Sequence, residues 1–348
     1  MTKIVLIVLF CLATWNMASA EAKYKLVVPL STGEDNYNYQ AVTAFKQYVE
    51  SRANGQIEVE IYTSGSLCAS GRECFEGMKS GLVDIYQSTF GESSNLWPAL
   101  AALDLPYMLR DDEVAECVFD DADFMDMMRK GLLNKTKNIR LMVVSNSGGW
   151  RNFATTKKPI YTPNDIKGMK IRTIPAEIQQ ELVRQLKGAP TGISWPEVYT
   201  SLATGVVEGT KNGITDIVTM NFQEHLKYIT LDGHAYMGGT WYMNNDKFKS
   251  MPPDLRMLVL SGFNIIEQYL RAYPKYHDVK SYETFVKAGG KIIALDNKTK
   301  ADFRKATSGM QDWYLKQGKE NKKMLADFKA VTAKCEKKVD ADLKAGIN

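Results

Sequence analysis

Strand-like and helix-like segments alternate at the start of the chain, and this alternation constrains the fold more than any other feature. An apolar strand over 24–30 precedes a helical segment with Val42, Phe45 and Val49 on one face. The stretch QIEVEIY then alternates apolar and acidic residues, as strands do. A helix ending near Lys79 and a strand in GLVDIYQS complete a β-α-β-α-β order. This order predicts an α/β fold with a mostly parallel sheet and helices on both faces.

Similar segments recur in the second part of the chain. IRLMVVSNSG and MKIRTI are predicted strands, EIQQELVRQLKG and SWPEVYTSLATG are predicted helices, and VVEGTKNG is a predicted strand and turn. AYMGGTWYMNN is predicted to be a long crossing strand. The remainder from Pro252 is predicted to be helical except for a last strand in KIIALD, with amphipathic helix over 298–343. Because no linker separates the halves, we expect two lobes joined by several chain crossings.

The N-terminus has the features of a secretory signal peptide over residues 1–20. Lys3 supplies the positive start, 4–14 the apolar stretch, and A-S-A at 18–20 a cleavage site. A membrane anchor is the alternative, but the apolar run is short for a bilayer span. We therefore expect an exported, periplasmic protein.

Four cysteines follow this segment, and export makes them candidates for disulfides. They are Cys68, Cys74, Cys117 and Cys335. Four cysteines allow three pairings, and the sequence leaves all three open. A bridge between the first two would close a small ring that geometry can forbid. The spacings match no zinc site, and we expect no metal or cofactor.

Charge and motif content disfavour two large functional classes. The formal net charge is +4 over 348 residues, without a basic stripe interleaved with aromatic residues, so no nucleic-acid partner is expected. The chain has no G-x-S-x-G, P-loop or G-x-G-x-x-G motif. An exported hydrolase or lyase would therefore lack a recognisable nucleophile–base pair or metal site, and we expect no enzyme.

Two arginines in β-forming contexts are the most informative polar residues. Arg151 follows G-G-W, and Arg172 lies in MKIRTIP. An arginine in such a strand either pairs with an acid of its own fold, the commoner case for a single arginine, or meets an external anion. A guanidinium matches the two oxygens of a carboxylate. Two converging arginines therefore predict a site for a small carboxylate.

Asn212 and two tryptophans are further candidates for this site. The amide of Asn212 can donate to a carboxylate while its oxygen accepts a hydroxyl, although a plain turn asparagine is the alternative. Trp195 and Trp241 can form walls around a ligand body, although core packing is the alternative.

The ends of the first and third strands supply the remaining candidates. Asp35, Asn36 and Tyr37 follow the first strand, at the edge where open α/β sheets bind ligands. Helix capping is the alternative there. Glu92 follows the third strand and either faces the cleft or is solvated.

Longer motifs resemble the DctP-type periplasmic solute-binding proteins of tripartite ATP-independent (TRAP) transporters. They are VDIYQS, LDLPYML, GGWRNFATTKKPIYTPNDIKGMKIRT, WPEVYTSLATGVVEGTKNGI, LKYIT and WYMNNDKFKSMPPDL, in the family's order. The resemblance implies an α/β fold of two lobes around a ligand cleft, with a crossing strand and long C-terminal helices. We assign 21–148 and 238–277 to lobe I, and 149–237 and 278–348 to lobe II.

The resemblance also implies site residues. The family's ligand is usually an organic acid whose carboxylate pairs with Arg172, and Arg151 matches a second, less uniform arginine. The other positions that match the family's cleft are Asn212, Trp195, Asp35, Asn36, Tyr37, Thr89, Met237, Gly238 and Trp241. Some sugar-acid binders carry a basic residue near Glu92. The acid in this chain therefore predicts a monocarboxylate with an aromatic, sugar or hydroxylated body.

The function implied by the resemblance is that of an extracytoplasmic solute-binding subunit. It would close around a small organic acid and deliver it to the membrane subunits of a TRAP transporter. A ligand-sensing binding protein for a membrane receptor is the alternative, since it can use the same fold and pocket. A binding protein of an ATP-driven importer is disfavoured by the motif order.

Overall fold

The computed structural model describes residues 22–346. The predicted signal peptide lies outside these residues. Within 22–346, no helix combines the length and apolarity that a membrane span requires.

The first part of the chain forms the predicted strands and helices as far as β3, followed by helices that the sequence analysis did not predict. Its elements are β1 (Tyr24–Pro29), α1 (Tyr37–Glu50), β2 (Ile57–Tyr62), α2 (Gly71–Ser80), β3 (Ile85–Thr89), α3 (Phe90–Ser93), a 3-10 helix (Pro98–Asp104), α4 (Asp112–Asp120), α5 (Ala122–Thr136) and β4 (Ile139–Thr155). The predicted apolar face of α1 is confirmed, because Val42, Phe45 and Val49 are buried.

The second part begins with short strands and ends with helices. After a 3-10 turn (Pro163–Ile166), its elements are β5 (Lys170–Thr173), α6 (Glu177–Gln185), β6 (Ala189–Gly192), a 3-10 turn (Trp195–Glu197), α7 (Val198–Ala203), β7 (Gly209–Asn212), α8 (Ile214–Thr219), a 3-10 turn (Phe222–Glu224), β8 (Tyr228–Asn244), α9 (Asn245–Ser250), α10 (Pro253–Lys287), β9 (Lys291–Ala294), α11 (Asn297–Ala306), α12 (Met310–Lys316) and α13 (Asn321–Ala345). The helix predicted over 298–343 is thus divided into three.

The strands of residues 22–346 form a parallel pair, β1–β2, and a mixed seven-stranded sheet. The larger sheet has the order β3-β8-β4-β7-β5-β6, with β9 beside β8. β5 pairs in parallel with β6 and β7, whereas β8 is antiparallel to both β3 and β4. The prediction of a mostly parallel sheet is wrong, because β3 joins β8 and does not continue the β1–β2 sheet. A local β-α-β-α-β order does not determine this distant partner.

Two long antiparallel strands, β4 and β8, connect the halves, and each has 17 residues. The sequence predicted one crossing strand, and it predicted a separate strand over IRLMVVSNSG, which ends at Gly148. The strand continues there because Gly148 and Gly149 adopt φ of 116° and 85°. Oδ1 of Asn146 accepts both of their N–H groups, at 3.0 and 2.6 Å. The resulting irregularity shifts the register between Asn146 and Trp150, and such bulges redirect the side chains that follow.

The long helix and two disulfides tie the remaining layers together. The helix predicted from Pro252 is confirmed as α10, and it buries an apolar stripe of Leu255, Val259, Phe263, Ile266 and Leu270. Of the three possible pairings, the structure forms Cys68–Cys74 and Cys117–Cys335. The second disulfide joins α4 to α13. The division of the chain between lobes stays a prediction.

Candidate functional site

A cavity of about 90 Å³ lies among β3, β4, β5, β7 and the first turns of α1 and α2. It has several times the ~10–15 Å³ that one water molecule requires. Eight of the predicted site residues line it: Tyr37, Thr89, Glu92, Arg151, Arg172, Trp195, Asn212 and Met237.

The other four predicted site residues do not line this cavity. Asp35 is exposed outside the cavity, and Asn36 caps α1 by accepting the N–H of Asn38 at 2.9 Å. Trp241 is fully buried in the core, where its Nε1 donates to Ser145. Trp241 lies four residues beyond Met237 on β8, or roughly 13 Å along the strand from this cavity residue.

Gly238 is the fourth of these residues. It follows Met237 on β8, and successive residues of a strand point to opposite faces. Gly238 packs against Phe90, since a Cβ atom there would lie 1.9 Å from the ring. The glycine therefore permits close packing behind the cavity wall.

Arg172 on β5 presents an unused guanidinium edge. Its side chain is buried, and Nε and Nη2 donate to the carbonyl oxygen of Ile193 at 3.0 and 2.8 Å. Nη1 and the second N–H of Nη2 remain, in the fork that matches a carboxylate. Trp195 lies against the guanidinium, with Cζ 5.4 Å from the ring centroid, within cation–π range.

Burial, followed by the nearby charge of Arg151, lowers the pKa of Arg172 to about 9, while Glu92 and Asp216 act in the opposite direction. Arg172 is therefore cationic at neutral pH. Its buried charge forms no salt bridge with a residue in 22–346, so the free-energy cost of its desolvation is not offset by an ion pair.

Arg151 on β4 is buried in the same way. Nη1 donates to the carbonyl oxygen of Lys211 at 2.9 Å, whereas Nε has no hydrogen-bond partner within 22–346. In that part of the chain, the arginines that form salt bridges are Arg110, Arg184 and Arg271. Neither Arg151 nor Arg172 therefore forms a salt bridge with an acid of residues 22–346, although Glu92 and Asp216 lie close enough to interact with Arg172 electrostatically.

Asp216 on α8 is a cavity residue that the sequence analysis missed. It accepts from the hydroxyl of Tyr37 at 2.5 Å and from Nδ2 of Asn212 at 3.3 Å. Burial raises its pKa to about 6, against the opposing effects of these hydrogen bonds and the two arginines. Asn212 ends β7 and Asp216 lies in the first turn of α8, so the strand-to-helix connection at Gly213 brings the two side chains together.

Glu92 on α3 lines the cavity and is half-buried. Its Oε2 accepts from Ser88 at 2.8 Å and from the hydroxyl of Tyr86 at 3.3 Å. Burial raises the pKa of Glu92, while these hydrogen bonds and Arg172 act against the rise. The cavity thus contains two carboxyl groups as well as two guanidinium groups.

Lys211 lies next to Arg151, which donates to its carbonyl oxygen. The sequence analysis did not identify Lys211 as a residue near the site. Its Nζ donates to the side-chain and main-chain oxygens of Gln179, at 2.5 and 3.1 Å. Burial, followed by the charge of Arg151, lowers the pKa of Lys211 to about 7. The partial loss of this charge at neutral pH reduces the repulsion between neighbouring cations.

Asp278 on α10 makes the stability of the protein pH-dependent. Its Oδ1 is buried without a hydrogen-bond partner in 22–346, and burial, then Asp112 and Asp216, raise its pKa to about 7. An unfolded aspartate titrates near ~3.9, so the folded state binds more protons between these values and loses stability as pH rises. We expect Asp278→Asn to raise the free energy of unfolding at pH 8 by about 1–3 kcal/mol.

Denaturant unfolding at pH 4 and pH 8 measures this difference. The gain should be small at pH 4, where Asp278 is protonated in the folded wild type. Asp302→Asn, at an exposed position on α11, is the matched control. An equal gain at both pH values would contradict the expected role of Asp278.

Comparison with known proteins places this architecture in a family. A family model described as bacterial extracellular solute-binding protein, family 7 (DctP), matches residues 30–317. The 2,3-diketo-L-gulonate-binding periplasmic protein YiaO of Escherichia coli (strain K12) is 24% identical over 292 residues, which cover 84% of this chain and 87% of that protein.

Solved structures share the fold over nearly their whole length. A TRAP periplasmic solute-binding protein from Anaerococcus prevotii, with bound D-glucuronate, superposes with a TM-score of 0.84 at 21% identity, covering 91% of this chain and 99% of that one. Another from Sulfurospirillum deleyianum, with bound succinate, has a TM-score of 0.81 at 24% identity, covering 89% and 99%. The two-lobed fold that the motifs implied is confirmed. The chain belongs to bacterial extracellular solute-binding protein family 7, the DctP family of TRAP transporter solute-binding proteins.

Proposed function

We propose that this protein captures a small organic monocarboxylate in the periplasm and delivers it to the membrane subunits of a TRAP transporter. One observation carries the proposal. Arg151 and Arg172 are buried in the wall of one cavity, with N–H groups unused and no salt bridge to a residue in 22–346. A ligand carboxylate would satisfy these donors and offset the cost of the buried charge.

The two arginines have different proposed roles. Arg172 receives the carboxylate, because Nη1 and Nη2 form a fork that its bonds to Ile193 leave accessible. Arg151 adds a second contact through Nε, which has no partner within 22–346. Trp195 forms the adjacent apolar wall. Asn212 donates to Asp216, so its contact with a ligand uses its remaining hydrogen-bonding capacity.

The acids of the cavity favour one carboxylate over two. Glu92 and Asp216 line the same cavity as the arginines. A second anionic group would meet these acids, whereas hydroxyl groups can donate to them. D-glucuronate and 2,3-diketo-L-gulonate, which relatives bind according to their names, are hydroxylated monocarboxylates, whereas succinate has two carboxylates.

Closure of the cleft is the proposed mechanism of capture. Tyr37 and Asp216 belong to predicted opposite lobes, and their hydrogen bond spans 179 residues of sequence. Forming this bond when the ligand is in place would exclude water. Lower local dielectric then strengthens the arginine–carboxylate interaction. The closed form is the one expected to dock on the membrane subunits.

A ligand panel tests the proposed class. Isothermal titration with D-glucuronate, 2,3-diketo-L-gulonate and succinate should show that one monocarboxylate binds about 5- to 30-fold more tightly than succinate. This range corresponds to about 1–2 kcal/mol of repulsion between the second carboxylate of succinate and the cavity acids. Glu92→Gln should reduce the ratio of these two affinities. The substitution should weaken the binding of succinate less than it weakens the binding of the monocarboxylate. Tight binding of succinate alone would contradict the monocarboxylate assignment.

A further inference from the structure

A disulfide lies in the wall of the cavity. Cys68 and Cys74 are bonded to each other six residues apart, and both line the cavity. We propose that this disulfide is a specificity-determining element that holds the first turn of α2 against Glu92. The inference concerns the site of the proposed function, and its consequence for ligand choice rests on that function.

The contact between α2 and Glu92 is the first support. Gly71 is the first residue of α2, and a Cβ atom at this position would lie 2.0 Å from Oε1 of Glu92. The Gly71 N–H is also near enough to the Glu92 carboxylate to lower its pKa. The first turn of α2 therefore limits, from one side, where the Glu92 carboxylate can lie and how much water reaches it, while Ser88 and Tyr86 hold the carboxylate by hydrogen bonds.

Weak anchoring of the preceding loop is the second support. The N–H groups of Ser64 and Gly65 donate to the main-chain oxygens of Thr32 and Leu30, at 2.8 and 3.0 Å. Further along, the N–H groups of Leu67 and Cys68 have no hydrogen bond within 22–346, and that of Ala69 reaches the Glu73 side chain at an exposed site. The disulfide is thus the strongest tie between this part of the loop and α2.

The loop also lies close to the opposite wall of the cavity. A Cβ atom at Gly65 would lie 3.6 Å from Cγ of Pro196, which is ordinary packing distance. Pro196 and Trp195 line the cavity beside Arg172. The disulfide-bonded loop therefore spans from the Glu92 wall to the Trp195 wall, and its release would admit water to both.

The chain supplies a matched control for a test that needs no ligand. Cys68→Ser/Cys74→Ser removes this disulfide, and Cys117→Ser/Cys335→Ser removes one outside the cavity. Carbon-13 NMR of the full chain, labelled at glutamate carboxyls, follows the titration of Glu92, whose signal is assigned by its loss in Glu92→Gln. We expect a lower pKa for Glu92 in the first variant, because burial raises it in the intact protein.

The control variant should retain the wild-type titration of Glu92 even if its melting temperature falls. Gly71→Ala keeps both disulfides and displaces Glu92 directly, so it should also shift this titration. Wild-type titration of Glu92 in Cys68→Ser/Cys74→Ser, or the same shift in both double variants, would overturn the inference.

Ligand selectivity supplies a second readout. The ratio of the dissociation constants for D-glucuronate and succinate should change by about fivefold or more in Cys68→Ser/Cys74→Ser and stay unchanged in the control. If neither acid binds the wild type, the proposed ligand class fails, and the NMR titration still decides the role of the disulfide. An unchanged ratio with measurable binding would contradict the proposed role in specificity.

Discussion

Arg172→Ala is expected to weaken binding of a carboxylate ligand by about two to four orders of magnitude. Removing one partner of a buried ion pair leaves the other charge unpaired, which costs about 3–5 kcal/mol. Arg172→Lys should also bind poorly, since it keeps the charge but loses the fork. Isothermal titration with the acid that binds the wild type most tightly measures both effects.

The fold should survive the loss of Arg172. Its removal deprives the Ile193 carbonyl of two donors, at a cost of about 1–3 kcal/mol, but also relieves the burial of an unpaired cation. These effects oppose each other, so the unfolding temperature without ligand should change by a few degrees at most. Arg184→Ala, at a surface ion pair on α6, is the control and should bind normally. Wild-type affinity in Arg172→Ala would refute the carboxylate clamp.

The disulfide between Cys117 and Cys335 is expected to have the largest effect on stability. It joins α4 to α13 across a sequence separation of 218 residues. In the chain-entropy description, a loop of this size contributes about 5 kcal/mol, at the upper end of measured values. Cys117→Ser/Cys335→Ser should therefore lower the melting temperature by roughly 5–10 °C.

The second disulfide provides the comparison. Cys68 and Cys74 are separated by six residues, and in the chain-entropy description a loop of this size contributes about 2 kcal/mol to stability. Thermal unfolding of both double-serine variants should therefore rank the long-range pair as the more damaging to lose. A larger loss from Cys68→Ser/Cys74→Ser would show that loop closure does not determine the contribution of either disulfide.

Local periodicity predicted most of the secondary structure, but it could not predict which strands pair across long stretches of sequence. The strands of the first part and the buried stripe of α10 follow from residues close in sequence. The partner of β3 is β8, more than 140 residues away, and no local pattern encodes that choice. The continuation of β4 through two glycines depends on Asn146, which caps both of their N–H groups.

The site shows the same division. Charge in an apolar strand identified Arg172 and Arg151 because few structural reasons place an unpaired guanidinium there. Trp241 was assigned to the cleft, although its indole lies in the core. Asp216 was missed because its role depends on Tyr37, a residue 179 positions away. Residue chemistry was therefore easier to predict than the direction in which each side chain points.

A crystal structure of the protein with the most tightly bound acid of the panel tests the central claim most directly. We predict both carboxylate oxygens within about 3.2 Å of Nη1 and Nη2 of Arg172, with Nε of Arg151 donating to the same ligand. A carboxylate bound away from Arg172, with the guanidinium fork facing a neutral part of the ligand, would contradict the account.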